Sequence, residues 1–224
     1  MRRTAIAGSI LALVAVALAG SFFLLAPKRK AAPPALSAPK GPLTKAEPRE
    51  PPHPPLEGRV LLNADQSNEA LAAGLIDRPV KSLLKISSPM SYGDFLWNEK
   101  GVPPGPSWVR VDLRSQILSV FRSGHEIGTA VILYGADGLP TPTGKFPILA
   151  KLKDHRSATY GNAPMPYTLR LTNDGVAIHG SNVRWGFATH GCVGVPKAFA
   201  AKLFGVLSKG DEVMIVAGKK EPTA

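Results

Sequence analysis

From Trp108 onward apolar and polar positions alternate, with Val109, Val111 and Leu113 set against Arg110 and Asp112. A period of two is the signature of a strand with one buried face, and Ile117 to Phe121 repeats it before a Ser123-Gly124 turn. Further strands are predicted at Ala130 to Tyr134, Phe146 to Leu152 and Asp211 to Val216, with a long loop over Gly135 to Gly144. Thr168 to Leu171 and Val176 to His179 form a hairpin across Asn173-Asp174-Gly175, since Asp-Gly supplies the positive φ values of a tight turn. Between Pro196 and Leu207 the period changes: Phe199, Leu203 and Val206 recur at helical spacing, and proline suits a first helical turn. The pattern predicts a mainly β domain over 107–218, built of two packed sheets with a short helix after the only cysteine.

Upstream the pattern weakens. Residues 57–106 suggest short helices at Glu69 to Leu75 and Val80 to Ile86, then a turn-rich run from Gly101 to Pro106. This segment is too short for its own core and reads as a lead-in packed on the domain edge. Residues 27–56 are dominated by proline, alanine and charge, so they are expected to form an extended linker. Residues 1–26 open with Arg2 and Arg3 and then run from Ala5 to Ala26 without a charge. Such a run would reach about 33 Å as a helix, enough to span a bilayer core. An uncleaved membrane anchor with an exported body is the preferred expectation. A cleaved secretory peptide, with Ala17-Leu18-Ala19 before Gly20 as its site, is the alternative.

Charge adds little about partners. Of the net +11, residues 1–60 hold nine basic and three acidic groups, or +6, leaving +5 for the rest. No aromatic-basic platform points to nucleic acid, so attraction to anionic envelope surfaces is the expected role.

Cysteine count matters more. Cys192 stands alone in 224 residues and cannot form an internal disulfide, so it is either a buried small hydrophobe or a reactive thiol. His190 and Gly191 directly precede it, and His179 ends an apolar run thirteen residues upstream, as a nucleophile and base would require. Gly191 leaves the adjacent backbone unshielded, so its amides can approach an oxyanion. Composition alone leaves open whether this is a site or a cysteine flanked by two structural histidines.

The ordered string narrows the choice. His179-Gly180, followed by Thr189-His190-Gly191-Cys192-Val193, resembles the signature of the L,D-transpeptidase catalytic domain, the YkuD-like family. Thr141-Pro142-Thr143-Gly144-Lys145-Phe146 resembles its TPTG segment, and Ala163 to Tyr167 with Thr168 to Leu171 the segment before its histidine strand. The resemblance covers roughly Trp108 to Val216. It departs at Gly194, where most members carry arginine or asparagine, and in a short link from His179 to Thr189. It implies a cysteine-dependent L,D-transpeptidase that cross-links peptidoglycan stem peptides through a thioester, in the periplasm or cell envelope, with no cofactor or metal. Cys192 is implied as nucleophile, His179 as base, His190 as a pocket-shaping residue and the Gly191 and Cys192 amides as oxyanion donors. A carbonyl of Gly180 or Ser181 would orient His179. Tyr160, Tyr167, Arg184 and Trp185 are candidate substrate contacts. An L,D-carboxypeptidase or peptidoglycan-lipoprotein hydrolase of the same fold, and a noncatalytic envelope-binding module, are the alternatives; the intact His179, His190 and Cys192 set speaks against the last.

Overall fold

The computed structural model describes residues 56–136 and 138–217, so the expected anchor and nearly all of the proline-rich linker lie outside the described residues. Among these, the chain forms two sheets. The larger has the order β1 (Arg59–Leu61), β2 (Ser82–Leu84), β6 (His125–Val131), β5 (Ile117–Arg122), β4 (Ser107–Asp112), β12 (Glu212–Val216) and β7 (Gly144–Pro147), and β3 (Phe95–Trp97) also pairs with β6. The smaller has the order β11 (Val193–Pro196), β10 (Ala177–Ser181), β9 (Pro164–Arg170) and β8 (Ala150–Arg156).

Local chemistry accounts for the joins. Ser123 and Gly124, with φ of 52° and 85°, connect β5 to β6 by a two-residue turn whose handedness matches the strand twist. The expected single strand over Phe146 to Leu152 is instead two strands, because the chain passes from one sheet to the other at Ile148. That residue is buried, and its N–H and C=O bond Asp211 O and Gly210 N at 3.0 and 2.9 Å.

One core joins the layers. Val109, Val111, Leu118 and Val120 from the larger sheet meet Leu169, Ile178, Val193 and Val195 from the smaller. Helix α2 (Lys197–Val206) buries Phe199, Ala200 and Leu203 in the same core. The Lys151 ammonium caps its far end by donating to the carbonyls of Phe204, at 2.7 Å, and Leu207.

The lead-in is more integrated than its sequence suggests. Helix α1 (Ala64–Ala72) starts earlier than expected, because Asn63 and Gln66 form a reciprocal capping box at 2.8 and 2.9 Å. Val80 to Ile86 is not helical: Val80, Ser82 and Leu84 are buried alternately, and β2 extends the larger sheet beside His125. Trp97 of β3 lies flat over Gly128, where a Cβ would come within 2.4 Å of its ring, and meets Phe199 edge-on at 5.5 Å. No helix among the described residues is long and apolar enough to cross a membrane.

Candidate active site

Strands β10 and β11 run parallel with Ile178 opposite Val193 and His179 opposite Gly194. One step back along both strands brings Cys192 level with Ala177. Cys192, the residue just before β11, therefore lies beside the start of the strand that carries His179.

His179 is buried, and its Nδ1 lies 3.0 Å from the carbonyl oxygen of Gly180. A carbonyl only accepts, so Nδ1 carries the proton and Nε2 presents a lone pair. Of the two candidate orienting carbonyls, the one in contact is that of Gly180. Burial holds the imidazole below its ordinary pKa; the Gly180 bond opposes this, and His155 on β8 adds a smaller downward push. His179 is therefore neutral at neutral pH.

Cys192 is half-buried, and burial raises its thiol pKa against a smaller lowering by the Ala177 backbone. Its Sγ donates to Gly175 O at 3.7 Å. The thiol proton is thus engaged by the Gly175 carbonyl. Burial, not pairing with histidine, thus sets the direction of the thiol's shift in this state. Both groups are neutral in this state.

Three backbone features hold the cysteine loop. Leu133 and Gly194 exchange N–H···O bonds at 2.8 and 2.9 Å, and Thr189 N bonds Tyr134 O at 2.9 Å, tying the loop to the end of β6. The Cys192 carbonyl accepts from Thr189 Oγ1 at 2.5 Å and from Thr141 Oγ1 at 3.4 Å. Gly191 has φ of 101°, a conformation that disfavours any side chain. Gly194 is explained by space: its Cβ would sit 3.0 Å from Ser181 Cβ and 3.4 Å from Leu133 Cβ, so an arginine here cannot be housed without displacement.

The remaining candidates fall into two groups. Tyr160, in the loop joining β8 to β9, stacks on the exposed His190 ring at 4.0 Å and 16°. Trp185 is 79% exposed and meets Tyr92 edge-on at 5.7 Å, on the same loop as exposed Arg184. Tyr167 is placed differently. Its backbone is left-handed, φ 57°, and its half-buried ring packs on Phe204 of α2 at 5.9 Å, which gives it a packing role.

Sequence reasoning passed over Tyr92, His155 and Gly135. Tyr92 lines a cavity of about 290 Å³ with Gln116, Tyr134, Ala136, Phe187 and Ala188, beside the Thr189 segment. Gly135 lets the Leu139 to Thr141 backbone cross it, since a Cβ would lie 2.1 Å from Leu139 O. Its signal was present only as a glycine ahead of a proline-rich loop.

Fold and site together define a mainly β, two-sheet domain carrying a buried histidine on β10 and a cysteine just before the parallel strand β11. Residues 106–215 match the family model YkuD, the L,D-transpeptidase catalytic domain. Among solved structures, the chain resembles an L,D-transpeptidase from Stackebrandtia nassauensis at 28% identity, covering 54% of this chain and 60% of that one, TM-score 0.47. An L,D-transpeptidase from Mycobacterium smegmatis matches at 21% identity over 58% and 80% of the two chains, TM-score 0.45. One from Mycobacterium tuberculosis matches at 19% over 49% and 57%, TM-score 0.45. The chain thus spans about 60% of the length of the first of these relatives. No curated protein matches the chain.

Proposed function

We propose that the protein is a peptidoglycan L,D-transpeptidase that joins stem peptides of the cell wall through a thioester on Cys192, held in the cell envelope by its amino-terminal segment. The observation that carries this reading is the His179 ring, fixed by Gly180 with Nε2 free, on the strand beside Cys192.

In this mechanism the donor's entry turns Sγ from Gly175 O toward His179. Nε2 takes the thiol proton as sulfur attacks the carbonyl carbon of the L-to-D amide. The resulting oxyanion is met by the Gly191 and Cys192 amides, which the positive φ at Gly191 leaves uncovered. As the C–N bond breaks, His179 returns the proton to the leaving amine of the terminal D-residue. An acceptor amine then attacks the thioester, gives its proton to His179 and restores the thiol. Tyr160 and His190 form one wall of this cleft, and Arg184 and Trp185 serve as acceptor-side contacts.

The test is mass spectrometry of muropeptides incubated with the protein. A cross-linked dimer and an acyl-enzyme adduct are expected with the wild type. Both should vanish in Cys192→Ala, whose thermal melt should stay close to wild type because only a small half-buried side chain is lost. Trimmed monomers without dimers would instead indicate water as the acceptor. Dimers formed by the alanine variant would remove Cys192 from the mechanism.

A further inference from the structure

Thr141 opens the Thr141-Pro142-Thr143-Gly144 segment and is buried, 5% exposed, in the loop after β6. Its hydroxyl accepts from Gly135 N–H at 2.9 Å and lies 3.4 Å from the carbonyl oxygen of Cys192, toward which it donates. Thr189 Oγ1 donates to the same oxygen at 2.5 Å. Both lone pairs of one carbonyl, that of the cysteine itself, are thereby engaged by side chains 48 residues apart in sequence. Gly135, with its close approach to Leu139 O, is what brings the Thr141 hydroxyl within reach.

We propose that Thr141 is a positioning residue for acyl transfer, acting with Thr189 to fix the peptide after Cys192. This inference rests on the reading of Cys192 as nucleophile. The reasoning is conformational. On the Gly191 side of the cysteine the backbone is in glycine's left-handed region and supplies no rigid brace. On the other side, the two hydroxyls and the Leu133–Gly194 pair set ψ of Cys192. With the carbonyl and Cα of Cys192 so anchored, only φ and χ1 are left to set the direction of the N–H relative to Sγ. An oxyanion donor must sit within a few tenths of an ångström of its place, and displacements near 1 Å cost on the order of a hundredfold. Thiol alkylation passes through no oxyanion, so it is insensitive to this geometry and reports only thiolate supply.

That contrast supplies the experiment, which compares wild type, Thr141→Val and Thr141→Ser as the full chain. Acylation by p-nitrophenyl acetate, which needs an oxyanion but no cell-wall ligand, is measured beside alkylation by iodoacetamide. Thr141→Val should slow acylation by about tenfold, one step below the loss of a whole oxyanion donor, with alkylation within about twofold of wild type. Thr141→Ser should restore acylation. Thr189→Val removes the shorter bond without touching Gly135 and should show the same split, which covers the case where Thr141→Val does not fold. Equal losses in both reactions, no loss in either, or failure of serine to rescue would overturn the assignment. If wild type acylates with the ester but makes no dimer from muropeptides, the cell-wall reading fails while the positioning of Cys192 still stands or falls on these rates.

Discussion

At the scale of single residues, the site combines a thiol raised by burial with an imidazole lowered by it. Neutral groups need no ion pair at rest, and in the proposed mechanism the proton moves only when a carbonyl arrives to receive the sulfur's electrons. A measurable consequence is the pH dependence of Cys192 alkylation. Thiolate is the reacting form, so the rate should climb with pH through a midpoint above the ordinary cysteine value of about 8.5, without a plateau in the acid range. A midpoint below neutrality would show a preformed thiolate–imidazolium pair and contradict the resting geometry. The proposed mechanism requires neutral His179, whose lowered pKa keeps it neutral to more acid pH than a free histidine. The cysteine, both histidines and Gly191 were legible in the sequence because their chemistry is carried by residue type and short spacing. The Thr141–Cys192 contact was not, since 51 residues separate the partners and only the folded backbone brings them together.

Among the elements, the hairpin of β9 and β10, helix α2 and strand β12 follow from turn chemistry and periodicity. Strand β2 does not. Its three residues pair with β6 only at Ser82 and His125, and polar groups complete the join: Ser82 Oγ meets His125 Nδ1 at 2.9 Å, and Leu84 N–H donates to Glu126 Oε2 at 2.8 Å. Buried polar residues look like surface in a hydrophobic pattern, so this docking is invisible to it. Burial raises the Glu126 carboxyl above its ordinary value, with Ser119, Leu84 and Arg59 opposing. The folded protein therefore keeps a proton there that the unfolded chain releases. The stability this group contributes is complete below about pH 4, near the unfolded carboxyl value, and is lost as pH rises through the folded value. Glu126→Gln, which keeps an acceptor for Leu84, should flatten that decline: between about pH 5 and 8 its melting temperature should fall less than that of wild type. Comparing the two profiles separates this carboxyl from His125, whose pKa burial, Lys81 and Arg59 hold down. Parallel profiles would show that Glu126 does not titrate in this way.

For the whole molecule, the position of β12 decides how the parts hold together. Its residues pair in parallel with β4, more than a hundred positions earlier, and antiparallel with β7 on the other side. The lead-in reaches the same place: Arg78 pairs with Glu212 and covers the Trp108 ring at 4.5 Å. A sequence pattern shows that β12 is a strand but not that it is interior, because partner choice is set by topology. A chain stopped after Gly210 should therefore show no cooperative thermal transition. A sharp melt from such a chain would mean that β4 and β7 hold without their shared neighbour. During synthesis the ribosome delivers this strand after every other strand of the larger sheet. Until residue 216 has emerged, β4 and β7 have open edges and the cysteine loop lacks a finished core behind it. The larger sheet thus cannot close until this strand has been made, and the thiol of Cys192 stays without its core backing until then.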